Sequence, residues 1–156
     1  MDLKELYQDI ILEHGKSPRN LGKCKGYNHD AKGYNPLCGD KVHIYLKVNS
    51  QKKVEGLTFE GEGCAISLAS ASIMTELIQG KSYEETKDIM SAFLNMIKNT
   101  SEIQSENLNE DQKIKLMSLS GVKQFPMRVK CATLSWHTLV SAIEGGKREV
   151  NTEVID

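Results

Sequence analysis

Cys38 and Asp40 stand two residues apart in the stretch NPLCGDKVHIYLKV, residues 35–48, with Gly39 between them. A thiolate is a soft ligand and a nucleophile, a carboxylate a hard ligand, so together they suit a borderline cation. Two more thiols stand in motifs of their own, Cys64 in GEGC and Cys131 in MRVKCATL. Between Cys38 and Cys64 lie 25 residues, and between Cys64 and Cys131 another 66. Three thiolates and one carboxylate make the four ligands of a tetrahedral Zn²⁺ site, and the thiolates equally suit an iron–sulfur cluster. There is no C-x-x-C pair, which excludes a zinc ribbon and a thioredoxin-type redox site. The fourth cysteine, Cys24 in the basic loop GKCKG, reads as a bystander.

Residues this far apart must be assembled by the fold, and a β-hairpin is the element that can do it. Residues 41–49 alternate, with Val42, Ile44, Leu46 and Val48 on one face and His43, Tyr45 and Lys47 on the other. After the turn Asn49-Ser50-Gln51-Lys52, residues 53–60 alternate again. Antiparallel pairing then places the start of the first strand, near Cys38, beside the end of the second, near Cys64. Gly39 allows the bend that turns the Asp40 carboxylate toward the same point. A short extended piece from about Ala31 precedes this hairpin.

Helices account for the rest. Residues 2–14 are amphipathic, with Gly15 and Pro18 expected to end the helix. Residues 65–79 form a helix of small residues with a narrow apolar edge at Ile66, Ile73 and Leu77, starting at Cys64 and stopped by Gly80. A thiol at a helix N-terminus is biased toward the thiolate. Ser82-Tyr83-Glu84-Glu85 is a capping box for a helix running to about Lys98, with Met90 and Met96 inward like Met74 before them. A polar loop, 99–109, leads to a short helix, 110–119. A last helix, 127–144, brings in Cys131 and is closed by Gly145-Gly146.

A length of 156 residues, with 39% hydrophobic and 26% charged residues, fits one soluble domain spanning 1–156. The net charge of −1 gives no reason to expect nucleic acid or an anionic membrane as partner. The longest uncharged run, Gly63–Thr75, has 13 residues, too short to span a bilayer. The amino-terminal stretch MDLKELYQDIILEH has no apolar core or cleavage site of a secretory signal. A cytoplasmic location is therefore expected, where four cysteines stay reduced rather than forming two disulfides.

The motifs NPLCGD, GEGCAISLASASIMTELIQGKS and MRVKCATLSWHTL resemble the three cysteine motifs of the IscU/NifU-N iron–sulfur assembly family, more specifically its SufU branch. The likeness covers essentially the whole chain. It implies an α+β domain with a three-stranded antiparallel sheet and helices packed on one side. Carried over position by position, it makes Cys38, Asp40, Cys64 and Cys131 the site residues. In IscU proteins a histidine precedes the third cysteine, where this chain has Lys130. The polar stretch before Cys131 is also longer than in IscU, as SufU proteins resemble one another in having. SufU-like proteins are similar in holding zinc and accepting sulfur from a SufS-type cysteine desulfurase. The implied function is zinc-dependent sulfur transfer in iron–sulfur cluster biosynthesis, with Cys38 as the sulfur acceptor. The desulfurase and downstream cluster assembly proteins are the implied partners. The alternative is a scaffold on which a transient [2Fe–2S] cluster is assembled on Cys38, Cys64 and Cys131. Arg128 and Lys130 can steer an anionic sulfur to the site or offset its charge, or they are a solvated helix start.

From a different class comes a cysteine hydrolase using Cys64, with GEG forming an oxyanion pocket. It would need a histidine base from His29, His43 or His137, and it leaves Cys38, Asp40 and Cys131 unexplained. His14, His29 and His43 read as surface or loop residues. His137 follows Cys131 by six residues, about 120° round a helix, and so should not share its metal.

Overall fold

The structure, a computed structural model, describes residues 2–100, 102–146 and 149–154. Three strands, β1 (His29–Asn35), β2 (Asp40–Val48) and β3 (Val54–Glu62), form an antiparallel meander. A fourth, β4 (Val150–Asn151), adds to the other edge of β1 in parallel, giving the order β3-β2-β1-β4. The sheet is thus four-stranded and mixed, a correction to the three-stranded antiparallel sheet expected. Two residues are too few for an alternating pattern to register in a sequence.

Among the described residues, five α-helices complete the α+β fold: α1 (Leu3–Lys16), α2 (Ala65–Ile78), α3 (Tyr83–Asn95), α4 (Glu110–Met117) and α5 (Pro126–Ile143). None among the described residues is long and apolar enough to cross a membrane. α5 packs on β1 and β2, and α2 packs on β3, α5 and α1. The inward positions of the sheet, among them Ile44, Leu46, Leu57 and Phe59, meet Ile73, Met74 and Leu77 of α2 and Trp136 and Leu139 of α5 in one core. α5 approaches β1 closely because Gly33 has no side chain, and a Cβ there would overlap Thr138 and Leu134.

The small residues of α2 explain its central position. Ser67, Ala69, Ser70, Ala71 and Ser72 are all buried, so the helix is enclosed on most sides rather than along one narrow edge. Small side chains let neighbouring backbones approach, and the hydroxyls find partners. Ser70 Oγ donates to the Ala132 carbonyl at 2.5 Å and accepts from Trp136 Nε1 at 3.1 Å. Gly15 does not end α1. The helix continues to Lys16, and Gly15 lies against Ala65, where a Cβ would come within 3.3 Å of that side chain. His14 is buried, not a surface residue, and its Nδ1 lies 2.7 Å from Ser72 Oγ.

The capping box closes as expected, with Glu85 N donating to Ser82 Oγ and Ser82 N to Glu85 Oε1. α3 ends at Asn95, and the expected last turn is instead a π-helical turn, Met96–Thr100, that keeps Met96 and Ile97 in the core.

Candidate metal centre

β1 and β2 are joined by a four-residue turn, Pro36-Leu37-Cys38-Gly39, and its ends Asn35 and Asp40 are cross-strand partners. Gly39 takes a φ of +71°, a conformation that a residue with a side chain rarely adopts. The turn leaves Cys38 half-buried at its tip, while Asp40 is fully buried at the first position of β2.

At the neighbouring strand end, Lys41 pairs with Glu62, and the chain then passes through Gly63 to Cys64. Gly63 has a φ of +150°, and a Cβ on it would overlap Oδ1 of Asp40. That contact lets Cys64 N donate to Asp40 Oδ1 at 2.9 Å. Cys64 is also the N-cap of α2, its Sγ accepting from Ser67 N at 3.4 Å. The third thiol, Cys131, is fully buried on α5, with its Sγ 3.1 Å from Cys38 Sγ.

Ligand atoms of Cys38, Asp40 and Cys131 all lie within 4.8 Å of one another. Tetrahedral bonds of about 2.0–2.3 Å to zinc set neighbouring donors about 3.5–3.8 Å apart, so the two sulfurs, 3.1 Å apart, need only spread by a few tenths of an ångström to share such an ion with the carboxylate oxygen. Cys64, the fourth residue expected at the site, is not part of this close group; it stands beside it, its N–H donating to Asp40. Its thiol is pulled down to about 6, chiefly by a hydrogen bond with Cys131 against the opposing effect of burial. The Ser67 N–H at the helix start adds to this. The helix terminus therefore acts in the direction anticipated but is not the main cause. Cys131 is pushed up, first by its hydrogen bond to Cys64 and then by burial.

Arg128 stands one turn before Cys131. Its guanidinium is held more firmly in the charged form by a hydrogen bond to Cys131 and by the charges of Cys64, Cys131 and Cys38. Lys130 is placed differently, with its ammonium 3.2 Å from Glu153. Arg128, rather than Lys130, is the cation whose charge is coupled to the sulfurs.

Asn35 is the residue that the sequence did not single out. It is fully buried, and its Nδ2 donates to Asp40 Oδ2 at 3.0 Å and to Cys131 Sγ at 3.4 Å. An amide five residues before Asp40, at the end of the strand that leads into the Cys38 turn, is the signal that could have pointed to it.

Cys24 is away from this group, its sulfur packed over Gly56 of β3. His29 bonds Asn28, His43 Nε2 lies 2.7 Å from Asp30 Oδ2, and His137 lines a cavity of about 290 Å³ with Lys98, Lys123 and Lys130. None of these contacts is to Cys64, and the Cys64 N–H that an oxyanion would need already serves Asp40. The arrangement does not favour the cysteine hydrolase.

Exposed apolar side chains flank the thiols. Leu37 precedes Cys38, and Phe125 and Met127 begin the segment that carries Cys131; all three are about half exposed or more.

Known proteins resemble this chain in both sequence and fold. The model of the NifU-like N terminal domain matches residues 6–145. The zinc-dependent sulfurtransferase SufU of Bacillus subtilis is 39% identical, over 93% of this chain and 96% of its own. The iron–sulfur cluster assembly scaffold protein IscU of Streptococcus pyogenes is 35% identical, over 97% of this chain and 89% of its own. A candidate iron–sulfur cluster assembly scaffold for the SUF system from Fervidobacterium islandicum has a solved structure with a TM-score of 0.75 and 34% identity. That alignment covers 89% of this chain and 97% of the other. Motifs, fold and site thus point to one relationship: the chain belongs to the NifU-like N-terminal domain family.

Proposed function

We propose that this protein is a zinc-dependent sulfur acceptor of iron–sulfur cluster biosynthesis, acting in the cytoplasm with a SufS-type cysteine desulfurase and taking sulfur onto Cys38. The observation that carries this reading is the contrast within the donor group: Cys38 is half-exposed on a turn, while Asp40 and Cys131 behind it are fully buried. The thiol on the turn can meet a partner while Asp40 and Cys131 stay inside the fold; Cys64, at the start of α2, is partly exposed as well.

Zinc held by Cys38, Asp40, Cys64 and Cys131 would keep the thiols deprotonated and guard Cys38 from oxidation. The chain's own residues do the rest. The Cys38 thiolate attacks the outer sulfur of the desulfurase persulfide. A Cys38 Sγ–S bond forms, the donor's S–S bond breaks, and the donor cysteine leaves as a thiolate. Arg128, drawn to the three sulfurs, offsets their accumulated negative charge. Leu37, Phe125 and Met127 offer apolar contact for the partner that must reach Cys38. The name of the Bacillus subtilis relative supports both the zinc and the transfer.

The test is metal content after purification without air, followed by incubation with a cysteine desulfurase and cysteine. About one zinc per chain and a persulfide on Cys38, absent in Cys38→Ser, are expected. Iron with matching acid-labile sulfide, and no persulfide, would replace this reading with the [2Fe–2S] scaffold that the IscU relatives' names suggest.

A further inference from the structure

Beyond α5 the chain turns at Gly145-Gly146 and returns to lay β4 along β1, with Gly33 opposite Val150 and Tyr34 opposite Asn151. Continuing that register brings Thr152 beside Asn35. Thr152 is 3% exposed, and its Oγ1 donates to Asn35 Oδ1 at 3.0 Å. One residue on, Glu153 meets Lys130 at 3.2 Å, the residue immediately before Cys131.

The Asn35 amide has an accepting end and a donating end. With Thr152 donating to Oδ1, the amide must present its NH₂ group to Asp40 and Cys131. Without the hydroxyl, Oδ1 is left as a buried acceptor with no described donor, which is costly, and the amide is held only by its two NH₂ contacts.

We propose that residues 150–153 latch the metal centre: Thr152 is a positioning residue that orients Asn35 so that Asp40 and Cys131 stay in place, and Glu153 clips the latch to α5 through Lys130. The consequence for metal retention rests on the reading that these residues hold zinc. The latch itself does not, since it is built from contacts within the chain. Partners of a ligand shell typically change metal affinity by about 10–100-fold.

The experiment uses the full chain as wild type, Thr152→Val, which keeps the shape and removes the hydroxyl, and Thr152→Ser, which restores it. Two quantities are read. One is the rate of Cys131 alkylation in the metal-free protein, with Cys24 as internal reference. The other is the rate of Zn²⁺ loss to a chelator, with the Co²⁺ absorption bands of the substituted protein reporting the ligand geometry. Thr152→Val is expected to speed both by about tenfold and to shift the Co²⁺ bands, while Thr152→Ser stays within about twofold of wild type. Wild-type rates in a folded Thr152→Val protein would overturn the proposal. If the wild type binds neither Zn²⁺ nor Co²⁺, the metal reading fails, and the alkylation rates alone decide whether the latch exists. If Thr152→Val does not fold, Glu153→Gln takes its place, because it leaves the core untouched. It should speed Cys131 alkylation about two- to threefold, and no change would overturn the latch.

Discussion

Gly63 and Asp40 approach so closely that a side chain on Gly63 would overlap the carboxylate oxygen that receives the Cys64 N–H. The glycine is therefore a packing requirement of the centre as well as a turn residue. Gly63→Ala should displace Asp40, with a stability loss of about 1–3 kcal/mol from overpacking and weaker zinc binding by about tenfold or more. Competition with a chelator measures the second effect. Unaltered zinc affinity in this variant would show that Asp40 is not held by that approach.

Cys38 and Cys131 should respond differently to the same change. Cys38→Ser alters a half-exposed turn residue, so the metal-free protein should keep its stability to within about 0.5 kcal/mol while losing the persulfide. Cys131→Ser buries a hydroxyl beside Asp40 and should cost about 1–3 kcal/mol. Urea melts of the metal-free proteins separate the two. A Cys38→Ser protein that unfolds would mean that the site serves the fold and not transfer.

Cys64 and Cys131 titrate as a pair, the first held near 6 and the second pushed above its ordinary value. In the metal-free protein, between pH 6 and the ordinary thiol value of 9.0, the native state carries a Cys64 thiolate where the unfolded chain carries a thiol. The unfolded chain binds more protons there, so this contribution to stability grows as pH rises and is lost as pH falls through 6. Above about 9 the unfolded chain releases a Cys131 proton that the native state keeps, and stability declines again. Urea melts across this range should show the rise in wild type and a flatter profile in Cys64→Ser. Parallel profiles would refute the pairing.

A fourth prediction concerns the scaffold beneath the site. Gly33→Ala would place a methyl group on Thr138 and Leu134, forcing α5 off β1. The expected loss is about 1–3 kcal/mol, with weaker metal binding because Cys131 moves with its helix. A melting temperature unchanged from wild type would contradict this account of the β1–α5 contact.

The hairpin and most of the helices were legible in the sequence because their signals are local. Alternation from Val42 to Val48 and the Ser82–Glu85 capping box each lie within a few residues. Cys38, Asp40, Cys64 and Cys131 also stood out, since few residue types combine as soft and hard ligands. What stayed hidden depends on packing. β4 is two residues of edge pairing, with no pattern of its own. The burial of His14 depends on Ser72, 58 residues away. Asn35 carries no signal of its own, and its role depends on Thr152, 117 residues further on, which donates to it. Lys130 looked like a companion of Cys131, but Glu153 draws its charge elsewhere.

The contact between Cys38 and Cys131 spans 93 positions of the chain. During synthesis, a nascent chain that has not yet released α5 carries the first two cysteine motifs without the third. The donor group of Cys38, Asp40 and Cys131 can then form only once α5 has emerged and met the β1–β2 turn. Long-range closure of this kind is slow compared with forming a helix or a hairpin. The centre consequently reports on assembly through α5: a chain that stops before it, or packs it elsewhere, would lack the Cys131 thiol at this group.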